Sequence, residues 1–175
     1  MMKPVSVELK KQIDSYSNEF LMILEEWIHK KRKYEKFDFK QNEKKEEDKT
    51  IGQLLCQGNN DRDNIGYKQF ADILMACRRA YCVNEFKLYI AYKGSKDNSS
   101  WRQELDRKSL SEHLNELITT QLKKLADEIA DKKLPAIEES FEDIYLAVLD
   151  KFLGYLYWGV RVSGANRGEI KCLKA

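Results

Sequence analysis

The chain has 175 residues, 34% charged and 42% hydrophobic, and its 31 Lys and Arg against 29 Asp and Glu give a net charge of +2. Eight Gly and two Pro are too few for a turn-rich β-sandwich and favour helices, and a chain of this length buries roughly two-thirds of its unfolded surface as one domain without disulfide staples. The longest apolar runs, Phe20 to Leu24 and Tyr155 to Val160, fall far short of the roughly 18 residues of a membrane span, and Met1-Met2-Lys3-Pro4 leads into a charged amphipathic segment with no cleavage signal, so no membrane contact and a cytoplasmic location are expected.

In chain order, Leu9, Ile13, Tyr16, Phe20, Ile23, Leu24 and Trp27 recur at steps of three and four and predict one long first helix over residues 1–33, ending in the basic block Lys30 to Arg32 and Lys33, which suits a helix C-terminus. Periodicity then fails. Glu43 to Lys49 is almost entirely charged and Gln57 to Asn64 is a run of turn residues, so residues 34–66 read as a long mobile charged connection. Within it Thr50 is placed to cap a short helix carrying Ile51, Leu54 and Leu55. Residues 67–162 form the helical core: Phe70, Ile73, Leu74, Cys77 and Tyr81 share a face, the phase slips near Val83-Asn84, and Phe86, Ile90 and Ala91 follow, so the segment is a kinked helix or two short ones. After a loop over residues 94–100, Ser109-Leu110-Ser111-Glu112 has the form of a capping box opening a helix with Leu110, Leu114, Leu117, Ile118, Gln121, Leu125 and Ile129 on one face. Pro135 starts the last helix, whose stripe is Ile137, Phe141, Ile144, Tyr145, Val148, Phe152, Tyr155 and Leu156, and Ser163-Gly164 ends it. Residues 163–175 are a basic tail. The expected fold is an all-α, single-domain bundle of five or six helices with the charged connection after the first.

Charge is segregated along this layout. Asp127, Glu128, Asp131, Glu138, Glu139, Glu142, Asp143 and Asp150 face only Lys132 and Lys133 over residues 125–150, a balance of −6, whereas residues 151–175 carry +4. Such separation more often serves a charged polymer or a partner than fold stability.

Motifs for catalysis are weak. Arg107 and His113 have the Arg-x5-His spacing of helical ribonucleases of the HEPN type, in which His handles a proton and Arg steadies phosphate, but Arg107 precedes the Ser109 cap and so lies before the helix. Asp61-x-Asp63 with Asp72 at the twelfth position resembles a calcium loop, lacking an oxygen ligand at Ile65 and the bidentate Glu. Cys56, Cys77, Cys82 and Cys172 match no zinc spacing and read as reduced thiols. No Gly-rich phosphate loop is present, and neither metal nor cofactor is expected.

Basic residues interleaved with aromatics are the stronger pattern. Between Tyr67 and Lys108 nine Lys or Arg stand against five acids, with Tyr81, Phe86, Tyr89, Tyr92 and Trp101 among them. Arg79 lies about 200° round the helix from Cys77 and points away from the core together with Lys68. Arg78, Arg79, Lys87, Lys93, Lys96, Arg102, Arg161 and Arg167 are the candidate RNA-contacting residues, the cations for phosphate and the flanking rings for unpaired bases. Tyr155, Tyr157 and Trp158 supply more aromatic surface than one stripe needs and are the candidate partner interface.

Ala71 to Lys93, a helix with paired basic residues followed by Phe86-Lys87-Leu88-Tyr89-Ile90-Ala91-Tyr92-Lys93, and the final Phe152-Leu153-Gly154-Tyr155-Leu156-Tyr157-Trp158-Gly159 resemble the small helical subunit of type III CRISPR effector complexes, the Csm and Cmr assemblies. The first helix and connection are longer than in compact members of that family, and residues 163–168 have no counterpart there. The resemblance implies a non-catalytic subunit, stacked in several copies among larger subunits along the groove in which guide RNA pairs with target RNA. It also implies that Arg78, Arg79, Lys87 and Lys93 touch phosphates, and that the aromatic last helix buries against neighbouring subunits. Two alternatives stand beside it: an accessory or inhibitor protein docking through the acidic residues 125–150, and a HEPN-like ribonuclease using Arg107 and His113.

Overall fold

A helix that is apolar on every face is stable in water only where neighbours cover it on every side, and Ile144 to Leu149 is such a stretch, with all six residues buried. The computed structural model describes residues 4–38, 41–56, 67–97 and 99–165. Its elements are α1 (Val7–Ser15), α2 (Ser17–His29), β1 (Lys31–Asp38), β2 (Glu43–Thr50), α3 (Ile51–Cys56), α4 (Tyr67–Arg79), α5 (Val83–Ser95), a 3-10 turn (Ser100–Arg102), β3 (Glu104–Leu105), β4 (Lys108–Ser109), α6 (Leu110–Leu117), a π turn (Ile118–Leu122), α7 (Lys123–Asp131) and α8 (Phe141–Ala165). α8 is the central helix, packed by α4, α7, α3, α2, α1 and α5. The chain is mostly helical, as expected, but two small antiparallel sheets interrupt the bundle. No helix among the described residues is long and apolar enough to cross a membrane.

The single first helix is corrected to two. Ser6 caps α1, its Oγ accepting the Leu9 N–H at 3.2 Å. At the junction Ser15 Oγ donates to the Gln12 carbonyl and Ser17 Oγ to the Asp14 carbonyl, each at 2.6 Å. Hydroxyls that bond back to the preceding turn bend or break a helix, and Tyr16 leaves helical geometry there. Helix α2 ends at His29, so the basic block is not a helix terminus: Lys31, Arg32 and Lys33 begin a strand.

That strand replaces, over the described residues up to Cys56, the irregular connection expected for residues 34–66 with a hairpin and a short helix. β1 and β2 pair antiparallel from Lys31↔Thr50 to Asp38↔Glu43, with Lys33 opposite Asp48 and bonded to it at 2.8 Å. Lys49 lies over the Tyr34 ring at 4.1 Å. Cross-strand charge pairs and one cation on an aromatic face stabilise a ladder that has no apolar alternation to betray it. Asn42, with φ 51°, takes the left-handed conformation that Asn tolerates at the turn. Thr50 then caps α3 reciprocally, accepting the Gln53 N–H at 3.1 Å while Gln53 Oε1 accepts the Thr50 N–H at 2.9 Å, and Ile51 and Leu54 are buried. The calcium-like run from Asp61, the turn residues 57–64 and the tail beyond Ala165, with Arg167 and Cys172, lie outside the described residues.

The phase slip near Val83 is a true break between α4 and α5. Because the chain leaves helical geometry after Arg79, Tyr81 does not continue the core stripe: it is 79% exposed, against expectation. Buried Cys77 is a free thiol, and burial pushes its pKa well above the ordinary value. The capping box at α6 is present in both directions, Ser109 Oγ accepting the Glu112 N–H at 3.2 Å and Glu112 accepting the Ser109 N–H at 2.7 Å. The Ser109 N–H and the Ser109 hydroxyl, donating to the Glu112 carboxylate at 2.7 and 2.8 Å, hold it below its usual range.

The face expected for residues 110–129 shifts at the π turn, where one extra residue per turn brings Leu122 and Ala126 into the core and leaves Gln121 at the edge. Thr119 and Thr120 explain it. Their hydroxyls donate to the Asn115 and Glu116 carbonyls at 2.9 and 2.7 Å, competing with the helical ladder. The Ile118 carbonyl takes the wide-turn Lys123 N–H and also the buried Tyr145 hydroxyl from α8.

Pro135 does not start the last helix. It sits in a turn, and Ser140 is the cap, with Asp143 completing the exchange at 3.2 and 2.7 Å. Ile137 is buried ahead of the helix and Phe141 is partly exposed at its first position, so neither belongs to a single stripe.

Candidate functional site

Much of the charge that reads in sequence as a polymer-binding surface is consumed inside the fold. Glu139 accepts the Ser6 N–H ahead of α1 at 2.6 Å. Glu142 accepts the Val83 N–H at 2.5 Å, capping an α5 whose own cap residue, Cys82, makes no side-chain bond. Asp143 serves Ser140, Asp127 pairs with Lys123 at 2.7 Å, Glu128 with Lys132 at 2.6 Å and Asp150 with Arg78 at 2.6 Å. The acidic stretch is therefore largely an internal supply of helix caps and ion pairs.

The same accounting thins the candidate RNA surface. Arg78 is bound to Asp150. Lys93, with only 13% of its side chain exposed, reaches from α5 to Gln69 at 3.2 Å and Asp72 at 3.5 Å on α4 and lies over Tyr89, so it joins two helices. Arg102 pairs with exposed Asp97 at 3.0 Å. Lys87 is half-buried, its carbonyl accepting from Asn115 Nδ2 at 3.2 Å. Arg79 is exposed, like Lys68, and lines a groove of about 400 Å³ between α4 and α5 with Met75, Glu85 and Tyr89. Lys96 lies 4.5 Å over the Tyr92 ring. Arg161 falls in α8, with its side chain outside the described residues.

What the fold assembles is a stripe along the outer face of α5. Phe86 and Ile90 face the core, and Leu88 and Tyr92, each two positions on, are 71% and 53% exposed. Tyr81, 79% exposed, lies just ahead of α5 in the break after α4, its N–H held by Glu85 at 2.7 Å. Leu88 went unnoticed as a surface residue because its type suits a core; the i,i+4 spacing of Leu88 and Tyr92, opposite Phe86 and Ile90, is the signal that reveals it. In α8, Tyr155 is already engaged, packed on Phe20 at 6.2 Å with its hydroxyl donating to Ser17 Oγ at 3.1 Å. Tyr157 is half-buried on the core, and Trp158, 63% exposed, stands edge-on to Tyr155.

Arg107 and His113 are not arranged as a helical pair. Arg107 occupies the β3–β4 turn with φ 61°, after Asp106 at 52°, the two left-handed positions of a tight hairpin. His113 is buried, and its Nε2 bonds the Leu105 carbonyl at 2.8 Å; burial, only partly offset by that bond, holds the imidazole below its ordinary pKa. The residue brought near His113 is instead Arg32, buried in β1 with Nη1 donating to the Trp27 and Lys30 carbonyls at 3.1 and 3.0 Å. Burial lowers its pKa, against the pull of Asp106, Glu116 and Glu26. Arg32 and His113 line a small polar pocket of about 210 Å³ with Glu26, Asp106, Lys108 and Glu116, in which cations and carboxylates are matched. Strand geometry turned Arg32 inward, and a helical reading of residues 30–33 could not foresee it.

The chain has no significant match among protein-family models, curated proteins or solved structures.

Proposed function

We propose that the protein is a non-catalytic, RNA-contacting small subunit of a multi-subunit type III CRISPR ribonucleoprotein, lying along the guide and target RNA beside copies of itself and larger subunits. The observation that supports this most is the outer face of α5, where Leu88 and Tyr92 are exposed with Lys96 over one ring, exposed Tyr81 just ahead of the helix and Arg79 on the adjoining one. Exposed rings stack on unpaired bases and nearby cations take phosphates, without sequence readout. Arg78, Lys93 and Arg102 are held by carboxylates, so the contact falls to Arg79, Lys87 and Lys96, with Trp158 left for a neighbouring subunit.

The test is binding of the full chain to labelled single-stranded RNA across a salt series. Three phosphate contacts give a slope of log affinity against log salt of about −2. Arg79→Glu with Lys96→Glu abolishes binding, Tyr92→Ala weakens it by about 1–3 kcal/mol, and Arg78→Glu has a smaller effect than Arg79→Glu. Affinity that ignores salt, or that survives the double variant, refutes the reading.

A further inference from the structure

We propose that the groove between α2 and α7 is the docking site for a basic amphipathic helix of another protein. α2 and α7 both pack on α8 but scarcely on each other, and between them lies an open groove of about 560 Å³, a volume typical of ligand-sized clefts. Met22, Ile23 and Leu125 supply apolar surface, and Met22 is 70% exposed. A flexible thioether left in water beside a half-buried Ile and a buried Leu is the kind of surface that re-packs around an incoming side chain.

The rim sets the sign of the partner. Glu19, Glu25, Glu26 and Glu128 surround the groove with Lys124 the one cation. Glu128 is held by Lys132 and Glu26 also faces the Arg32 pocket, whereas Glu19 and Glu25 make no ion pair among the described residues. Gln121, on the groove wall at the π turn, has its Oε1 buried without a donor among the described residues, and π turns concentrate at functional sites.

An apolar groove between two splayed helices, edged by the unpaired carboxylates of Glu19 and Glu25 and one idle acceptor, is complementary to a helix carrying aliphatic residues at i, i+3, i+4 and i+7 with Lys or Arg on its flanks. A second copy would bring the same carboxylates face to face, and nucleic acid would meet like charge, so neither suits this surface. The proposal rests on α2 and α7 alone and stands apart from the RNA-contacting face of α4 and α5.

The probe is a fluorescent Leu/Lys amphipathic peptide of about five helical turns, with a scrambled peptide of the same composition, added to the full chain. Anisotropy gives the affinity, and the ¹³C-labelled methyl of Met22 gives the location, with Met75 on α4 as the internal reference. The patterned peptide is expected to bind in a salt-sensitive way, to shift Met22 and not Met75, and to lose about tenfold or more in affinity with Met22→Arg/Glu25→Lys, whose helix content stays unchanged. Equal binding by the scrambled peptide, equal shifts at Met75, or undiminished binding by the variant overturns the proposal. A concentration-dependent dimer in sedimentation that the same variant abolishes overturns it in favour of a second copy.

Discussion

Replacing Gly94 with Ala tests how the α5–α6 contact is built. Gly94 lies in the last turn of α5, and helix propensity by itself makes Gly→Ala stabilising by up to about 1 kcal/mol. The packing says otherwise. A Cβ at Gly94 would stand 1.9 Å from Ser111 Oγ and 2.7 Å from Ser111 Cβ, and Ser111 is a buried residue of the first turn of α6. Its Oγ also touches Ser109 Oγ at 2.9 Å, so pushing it aside disturbs the capping box. Overpacking of this kind costs about 1–3 kcal/mol, which outweighs propensity and leaves Gly94→Ala destabilised by about 1–2 kcal/mol. Urea unfolding followed by tryptophan fluorescence is expected to show a lower midpoint at constant slope. The same substitution in a Ser111→Gly background, where both obstructing atoms are gone, is expected to be neutral or stabilising. A Gly94→Ala variant as stable as the parent, or the same loss in both backgrounds, would refute the argument.

Two further predictions concern the centre of the molecule and its pH response. Tyr145→Phe removes the hydroxyl that bonds the Ile118 carbonyl while the Lys123 N–H continues to satisfy that oxygen, so the loss is expected to be about 1 kcal/mol, or a few degrees in Tm; a loss above about 3 kcal/mol in thermal unfolding would mean that the π turn depends on Tyr145. For His113, burial places the folded pKa below the ordinary value of about 6.5, so the unfolded chain takes up the proton first. The stabilising contribution of the neutral ring is therefore complete above about pH 6.5 and declines as pH falls from there toward the folded value. Denaturant midpoints at successive pH values across this interval are expected to fall for the parent and to flatten in His113→Gln, and an unchanged slope in the variant would count against the burial account.

The local signals in this chain were readable wherever one residue type has one physical use. Ser109 with Glu112 and Thr50 with Gln53 are reciprocal caps because a short side chain and a carboxylate or amide three residues on fit only a helix start, and the phase slip at Val83 marked a real break, whereas the smaller slip at Gln121 was absorbed by a π turn. The carboxylates of residues 125–150 were visible as a block, yet their roles were not: Glu142 caps α5 and Glu139 holds Ser6, contacts that exist only once distant segments meet. The α5 stripe is half legible, since spacing places Leu88 and Tyr92 opposite Phe86 and Ile90, but which face is outward depends on what covers it.

By itself, then, the sequence determined a helical chain with the caps at Thr50 and Ser109, the break near Val83 and its apolar content, because these depend on neighbours within a turn or two. Tertiary structure alone decided that Lys31 to Thr50 forms a hairpin, that α8 is central and that Arg32 turns inward. It also decided which cations are engaged, since Asp150 comes within 2.6 Å of Arg78 while the neighbouring Arg79 lines the α4–α5 groove. Ion pairs, burial on every face and strand pairing join residues far apart in sequence, and local periodicity carries no record of them.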